Sequence, residues 1–288
     1  MKPAAFVYEA PESLEEALEL LAEHGADAKP LAGGQSLMPL LNMRFAQPTV
    51  LVDLNRLRAL GSITPQSSHI HVGATARQAD FEASSAVRTQ IPVAAAAMPY
   101  VGHFVTRNRG TVGGSLAHAD ARGELPLLLA ALGGSAVVAS RDRGERNIRA
   151  EELFVTHFTT SLESDELLVS SSWPTETDGW RFAFEEFAQR HGDYALGMVC
   201  AGAQIENGKI REARIAVSAV TDHPVCLGEA GELLVDQSPS PELARAAGAM
   251  ARSAVDPHDD MHASAAYRRN LTGVLVERAC SAIFGATR

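Results

Sequence analysis

Two glycine-rich segments of this chain share one pattern, a double glycine followed closely by a serine. The first glycine loop is residues 32–36, AGGQS, and the second glycine loop is residues 111–115, TVGGS. Glycine lets the backbone adopt positive φ and lets a ligand approach where a Cβ would block it. Successive N–H groups can then hold phosphate oxygens, and the hydroxyls of Ser36, Thr111 and Ser115 can add donors. Two such loops could together hold the two phosphates of a dinucleotide.

The alternative is that both segments are ordinary turns. Gly-Gly dipeptides often mark turns, and we expect only a turn at Gly133-Gly134. Neither glycine loop has the GxGxxG pattern or the lysine of a P-loop, so a Rossmann-type NAD site and an NTPase are poorly supported. The spacing alone does not name the ligand.

Two segments that contain histidine and aspartate could also carry chemistry. His118 and Asp120, just after the second glycine loop, could serve acid–base catalysis or a metal, but no further ligand stands at a clear spacing. We favour a polar loop that contacts the sugar chain of the ligand. His258 and His262, with two aspartates between them, resemble a metal site. They follow Pro257 in a polar stretch, which favours a solvated surface, and we predict no metal site in this chain.

A glycine–aspartate turn at 192–193 precedes Tyr194. An aromatic side chain placed by such a turn could lie against a flat ring system, with its hydroxyl free for hydrogen bonding. The alternative is that Tyr194 fills an interface between lobes.

Composition excludes several function classes. Lys plus Arg number 25 against 35 for Asp plus Glu, a net charge of −10, which argues against nucleic acid or an anionic membrane as partner. The three cysteines lie far apart, so we predict neither a disulfide framework nor a metal cluster. The longest apolar run, 125–139, is interrupted by glycines and is too short to span a bilayer. Acidic residues near the N-terminus precede any apolar stretch of signal-peptide length, and we expect a cytoplasmic protein.

The elements that must position these residues alternate between helix and strand, which predicts an α+β fold. The first predicted helix follows Ser13, because Ser13 and Glu16 have the spacing of a capping box, and Gly25 should end it. Further predicted helices lie at 78–88, 93–101, 124–132 and, with one break, from 242 onward, and a short helix-like stretch ends at Met43. The predicted strands lie at 49–53, 69–76, 136–139, 166–173, 182–189, 195–206 and 210–219, with Asn207-Gly208 as a hairpin turn. We predict lobes at 1–55, 56–176 and 177–288.

Three segments resemble a known family. AGGQSLMPLLNMR at 32–44, RNRGTVGGSLAHAD at 107–120 and RHGDYAL at 190–196 are similar to the FAD-binding medium subunit of molybdenum hydroxylases. That family includes aerobic carbon-monoxide dehydrogenase, quinoline oxidoreductase, nicotine dehydrogenase and xanthine dehydrogenase. The resemblance covers essentially the whole chain. It implies a vanillyl-alcohol-oxidase-type (PCMH) fold, in which two α+β lobes, 1–55 and 56–176, hold FAD and a C-terminal lobe has a small antiparallel sheet with helices.

The resemblance also implies which residues contact FAD. The glycine loops would hold its pyrophosphate, Leu168 would pack against the flavin or adenine end, and Tyr194 would tune or shield the flavin, with no residue assigned with certainty to catalysis. The full set is Leu31, Ala32, Gly33, Gly34, Gln35, Ser36, Leu37, Thr106, Gly110, Thr111, Gly113, Gly114, Ser115, His118, Asp120, Glu124, Leu168, Asp193 and Tyr194. Two positions depart from the family pattern, because Glu124 stands where Asp is usual and Ser115 stands where Asn is frequent.

The implied function is electron transfer. A separate molybdenum subunit with molybdopterin would hydroxylate the substrate, a separate small subunit would carry [2Fe–2S] clusters, and FAD on this chain would pass the electrons to an external acceptor. The implied assembly is an (LMS)₂ heterohexamer. Two alternatives are an autonomous flavin oxidase or dehydrogenase and an assembly module that has lost FAD.

Overall fold

The computed structural model describes residues 1–175 and 179–285. The strands are β1 (Val7–Glu9), β2 (Ala28–Leu31), β3 (Val50–Asp53), β4 (Ile63–Pro65), β5 (His69–Gly73), β6 (Ser135–Ser140), β7 (Gly144–Arg149), β8 (Phe154–Thr156), β9 (Thr159–Thr160), β10 (Leu167–Pro174), β11 (Trp180–Ala188), β12 (Ala195–Glu206), β13 (Lys209–Ser218) and β14 (Val225–Cys226).

The α-helices are α1 (Leu14–His24), α2 (Leu37–Asn42), α3 (Gln78–Ala83), α4 (Ser85–Gln90), α5 (Pro92–Ala97), α6 (Phe104–Arg107), α7 (Val112–His118), α8 (Glu124–Leu132), α9 (Ala150–Leu153), α10 (Gly228–Glu232), α11 (Pro241–Ala254) and α12 (Ala265–Ile283). Short 3₁₀ turns lie at Gly25–Asp27, Leu54–Arg56, Arg58–Gly61 and Met98–Tyr100. In the described parts of the chain, no helix combines the length and apolar character needed to cross a bilayer.

The first sheet is parallel, with strand order β1-β3-β2, and α1 packs on it. The predicted cap of α1 is confirmed, because the Ser13 hydroxyl accepts the N–H of Glu16 at 3.1 Å and Gly25 follows the helix. The core of this region also includes Leu167 and Val169 of the second sheet. The predicted first lobe, 1–55, therefore shares its core with residues beyond its boundary.

The second sheet has strand order β4-β5-β10-β6-β7, and its paired strands are antiparallel. Along β5 the predicted alternation is confirmed, since Ile70 and Val72 are fully buried while the two histidines of that strand are not. The single helix predicted at 78–88 is instead two helices. Ser84 adopts an extended backbone between them, and its hydroxyl accepts the N–H of Val87 to cap α4.

The third sheet has strand order β11-β12-β13-β14 and is antiparallel. Its first three strands and the turn at Asn207-Gly208 confirm the prediction, and both turn residues have positive φ. From Ala195 to Ala203 every residue of β12 is buried. The strand is buried because it contacts both α8 and α12. The contact with α8 belongs to the hydrophobic core shared with the second sheet, and the contact with α12 belongs to the core formed with the C-terminal helices.

Strands with weak apolar patterns escaped prediction. The sequence GERNIR of β7 buries only Ile148, and it forms a strand because β6 offers it an edge. The predicted boundary between 176 and 177 lies outside the described residues.

Candidate functional site

The first glycine loop connects the end of β2, at Leu31, to the start of α2, at Leu37. Gly34 has φ of +72°, a conformation that residues with a Cβ rarely adopt. None of the four N–H groups from Gly33 to Ser36 donates to an acceptor among the described residues. The Ser36 hydroxyl makes no cap bond, and the Gln35 side chain turns back to the Gly33 carbonyl at 3.3 Å. The loop is therefore a row of open donors.

The second glycine loop uses most of its N–H groups within the protein. Val112 and Gly113 donate to the carbonyls of Ala76 and Ala74 at 2.9 and 3.1 Å. Gly114 donates to the hydroxyl of Thr111 at 3.0 Å, and Ser115 donates to the Thr111 carbonyl at 3.1 Å. The expectation that both loops bind phosphate stays a prediction. In the second loop only the hydroxyls and the N–H of Thr111 remain as donors.

The residues before the second glycine loop are held from both sides. The Thr106 carbonyl accepts the N–H groups of Arg109 and Gly110 at 3.1 and 2.7 Å. The Gly110 carbonyl in turn accepts the N–H of Gln78 at 2.9 Å. Gln78 is only 6% exposed, and its Oε1 has no hydrogen-bond partner among the described residues.

The first glycine loop lies close to the second glycine loop and to the residues just before it. A Cβ on Gly33 would overlap the carbonyl oxygen of Arg109 and would lie 2.8 Å from the Cα of Gly110. A Cβ on Gly114 would lie 3.7 Å from the Cβ of Ala32. The open donors at 33–36 therefore belong to a loop that lies close to both of these segments.

Sequence reasoning missed three side chains behind this boundary. Asn55 and Arg77 hydrogen bond to each other at 2.6 Å, and Arg77 also donates to the Arg109 carbonyl. Burial and the nearby Arg109 lower the pKa of Arg77, against the opposite effects of Asp80 and Asp53. Asn55, Arg77 and Gln78 lie far apart from the loops in sequence, and no spacing signal could have joined them to the motifs.

A group of carboxyls lies beyond the second glycine loop. Glu124 begins α8 with 9% exposure, and burial raises its pKa to about 7, with a further rise from Asp120. Burial also raises the pKa of Glu186 on β11 to about 8, and Glu124 adds to that rise. The Oε2 atom of Glu186 is buried without a hydrogen-bond partner among the described residues. Sequence reasoning found Asp120 and Glu124 but missed Glu186.

His118 and Tyr194 border this carboxyl group. Burial lowers the pKa of His118, against the effect of Asp120, and its ring lies 4.9 Å from the ring of Phe158. The neutral imidazole is therefore the favoured form. Tyr194 is 63% exposed in the turn before β12, and partial desolvation with the charges of Asp120 and Glu124 raises its pKa. The structure thus brings Asp120, Glu124 and Tyr194 together, and Asp193 lies in the same turn with its N–H on the Arg190 carbonyl.

Two other predicted features lie elsewhere. Leu168 is 3% exposed inside the core of the second sheet, so its expected contact with FAD stays a prediction. The carboxylates between His258 and His262 accept backbone N–H groups, and one of them pairs with Arg268 at 2.7 Å. Among residues 1–175 and 179–285, no cluster of three histidine, cysteine or acidic side chains could hold a metal ion.

Comparison with known families gives two matches along the chain. Residues 4–176 match the family model described as the FAD binding domain in molybdopterin dehydrogenase. Residues 182–283 match the CO dehydrogenase flavoprotein C-terminal domain. A curated relative, the 6-hydroxypseudooxynicotine dehydrogenase complex subunit alpha of Paenarthrobacter nicotinovorans, is 42% identical over 279 residues, which cover 96% of this chain and 94% of the relative.

Solved structures have the same fold. Carbon monoxide dehydrogenase from Hydrogenophaga pseudoflava, in a form lacking the Mo-pyranopterin moiety of the molybdenum cofactor, matches with a TM-score of 0.95 and 32% identity over 99% of both chains. Quinoline 2-oxidoreductase from Pseudomonas putida 86 matches with a TM-score of 0.93 and 36% identity, over 99% of this chain and 100% of that chain.

Proposed function

The chain belongs to the family of FAD-binding medium subunits of molybdenum hydroxylases, and from this premise we propose that it carries electrons from a [2Fe–2S] partner subunit to an external acceptor. The oxidoreductase role is the family's. The identity of the immediate electron donor and the use of an external acceptor are the proposal.

The observation that carries the proposal is the row of open N–H groups from Gly33 to Ser36. Gly33, Gly34 and Ser36 are half-buried and Gln35 is exposed, and backbone donors at such positions are normally paired. Four neighbouring donors without a protein acceptor therefore favour an anionic ligand. Gly33 lets this loop pack against the backbone at 109–110, and Gly34 supplies the positive φ that the loop requires. A dinucleotide pyrophosphate fits this donor set, and the positive charges of Arg77 and Arg109 suit its negative charge.

In the proposed site the first glycine loop holds the pyrophosphate, and the hydroxyls of Ser36, Thr111 and Ser115 add donors. Asp120 and Glu124 accept hydrogen bonds from sugar or ribityl hydroxyls, and Tyr194 lies against the flavin ring. When bound, FAD supplies a carrier that can exchange electrons singly with an iron–sulfur cluster and pass them on to a different acceptor. The chain's own contribution is to bind the cofactor, orient it and shield it.

We propose that the organic substrate is oxidised on a partner that carries molybdenum and molybdopterin, in an (LMS)₂ heterohexamer. The name of the curated relative, a subunit of a dehydrogenase complex, supports a multi-subunit assembly. The molybdenum cofactor named for the matching carbon monoxide dehydrogenase supports the kind of partner. We place the assembly in the cytoplasm, where the free thiols of Cys200, Cys226 and Cys280 stay reduced.

The test is to isolate the complex from its natural host through an affinity tag on this chain. We expect FAD on the tagged chain, two co-purifying subunits with iron and molybdenum, and a mass that fits two copies of each. Flavin absorbance should bleach when the iron–sulfur clusters are reduced without oxygen. A tagged chain that binds FAD and turns over a substrate without any iron or molybdenum would show an autonomous oxidase instead. A folded chain that takes up no FAD, alone or with partners, would show an assembly module.

A further inference from the structure

The two glycine loops come from different sheets, so something must keep them together. The first follows β2 of the parallel sheet, whereas the second packs on the loop after β5 of the antiparallel sheet. Gly33 lies so close to the backbone of Arg109 that a Cβ on it would overlap the carbonyl oxygen, but packing of this kind is weak by itself. The stronger link consists of two side chains, Asn55 and Arg77.

Asn55 holds the first glycine loop. Its Nδ2 donates to the carbonyl of Ala32 at 2.9 Å and also to Oδ1 of Asp53. Its Oδ1 accepts Nη2 of Arg77 at 2.6 Å. Since both acceptors lie on the nitrogen side and the donor lies on the oxygen side, only one orientation of this amide satisfies the network.

Arg77 holds the residues just before the second glycine loop and so fixes where that loop begins. Its Nη1 donates to the Arg109 carbonyl at 2.6 Å, while Nη2 reaches Asn55. A planar guanidinium can direct two donors to two separate acceptors at a fixed angle, which a lysine ammonium on a flexible stem does poorly. The backbone beside Arg77 adds to the hold, because Gln78 donates to the Gly110 carbonyl at 2.9 Å.

The network ends in an ionised carboxylate. Burial alone would raise the pKa of Asp53, but hydrogen bonds from Tyr8 and Asn55 hold it below its usual range. A negative Asp53 fixes the orientation of Asn55, and Arg77 balances the charge.

We propose that Arg77 and Asn55 form a clamp that holds the two glycine loops in register and so preorganises the open N–H groups of 33–36 for a pyrophosphate. Both are positioning residues, because they bond to the carbonyls of Ala32 and Arg109 and not to the open N–H groups of 33–36. This inference deepens the proposed function and rests on its FAD site. It predicts that loss of the clamp weakens FAD binding more than it weakens the fold.

The test compares Arg77→Met, Asn55→Leu and the double variant in the full chain purified with FAD. The release of FAD after dilution is followed by the rise in flavin fluorescence. We expect release about tenfold faster for each single variant, because a hydrogen bond to a charged group contributes about this factor. The double variant should release FAD no more than about threefold faster than the faster single variant, because both changes remove one clamp. A hundredfold increase, the product of two independent effects, would overturn the proposal.

A conservative change and a matched control separate positioning from folding. Arg77→Lys keeps the charge but loses the fork, and we expect it to recover less than half of the loss. Arg88→Lys changes another arginine that bonds to a backbone carbonyl, that of Glu82 at 3.0 Å, and should leave FAD release unchanged. The melting temperatures of the FAD-free chains should differ by only a few degrees among all variants. If Arg77→Met lowered that temperature strongly while FAD release stayed at the normal rate, the residue would be structural only.

The outcomes also distinguish this proposal from the wider one. Clamp variants that release FAD at the normal rate, from a chain that does bind FAD, refute the clamp and leave the proposed electron transfer intact. An unmodified chain that never binds FAD refutes both.

Discussion

The two glycine loops look alike in sequence and serve different purposes in the structure. In the first, the N–H groups of Gly33 to Ser36 are open. In the second, the N–H groups of 112–115 hold the loop on the second sheet and cap α7. A backbone N–H that is hydrogen bonded within the fold is not free to bind a ligand, so the two loops offer different groups to a ligand. The first loop leaves its N–H groups available to a ligand, whereas the second presents mainly hydroxyls.

The largest effect should come from closing the contact between the loops. In Gly33→Ala the new methyl group overlaps the Arg109 carbonyl, and relief requires the loops to separate. We expect the purified variant to contain little or no FAD and its unfolding free energy to fall by about 1–3 kcal/mol. Flavin absorbance per chain and denaturant unfolding measure the two effects. Gly228→Ala, where a Cβ would meet nothing, is the control; if both variants kept full FAD, the loop contact would be irrelevant to binding.

The carboxyls beyond the second loop should make stability depend on pH. The pKa of Glu124 is about 7 and that of Glu186 is about 8, above their ordinary value of 4.5. The folded protein therefore holds protons that the unfolded chain releases, and the unfolding free energy falls as pH rises from about 4.5 to about 8.

Glu124→Gln should remove part of this dependence. As pH rises from 5 to 8.5, the unfolding free energy of the variant should increase by about 1–3 kcal/mol relative to that of the unmodified chain. Denaturant unfolding at each pH measures this difference. Glu145→Gln, at an exposed carboxylate, should change nothing. An equal pH dependence in all three proteins would mean that Glu124 is ionised throughout this range.

Gly34→Ala tests the open loop mainly by backbone strain, with a tight contact of the new Cβ against the side chains of Leu31 and Met38 added to it. At φ of +72° a Cβ costs about 1–2 kcal/mol, which the loop can relieve by losing the conformation that aligns its N–H groups. We expect FAD to bind about tenfold more weakly, with the second loop undisturbed. Titration of the FAD-free chain with FAD measures this change. Gly144→Ala, also at positive φ but on an exposed turn of β7, should show a similar loss of stability and normal FAD affinity.

The smallest expected effect distinguishes the hydroxyl of Thr111 from the hydroxyl of Ser36. Thr111→Ala removes the cap of α7 and should lower the unfolding free energy of the FAD-free chain by about 1 kcal/mol. Ser36→Ala removes a hydroxyl that caps nothing, so the FAD-free chain should keep its stability and only FAD affinity should fall. Melting curves with and without FAD compare the pair. If both variants lost equal stability without FAD, the two hydroxyls would not have the different roles that we infer for them.

Much of the fold was predictable because local patterns carry it. The cap at Ser13, the alternation in β5 and the hairpin at Asn207-Gly208 depend on residues near one another in sequence, and each is confirmed. The α+β class is confirmed as well. The break at Ser84 and the polar strand β7 were missed, because a competing cap and an available sheet edge outweighed the periodicity there.

By itself, the sequence determined the family, the two glycine loops and the side chains that stand in them. Only the tertiary structure decided that the first loop is open and the second is occupied, since this depends on the carbonyls of Ala74 and Ala76 that fold against the second. It also placed Asn55 and Arg77 behind the loops and Glu186 beside Glu124. Hydrogen-bond partners and buried charges are set by residues distant along the chain, and no local pattern records them.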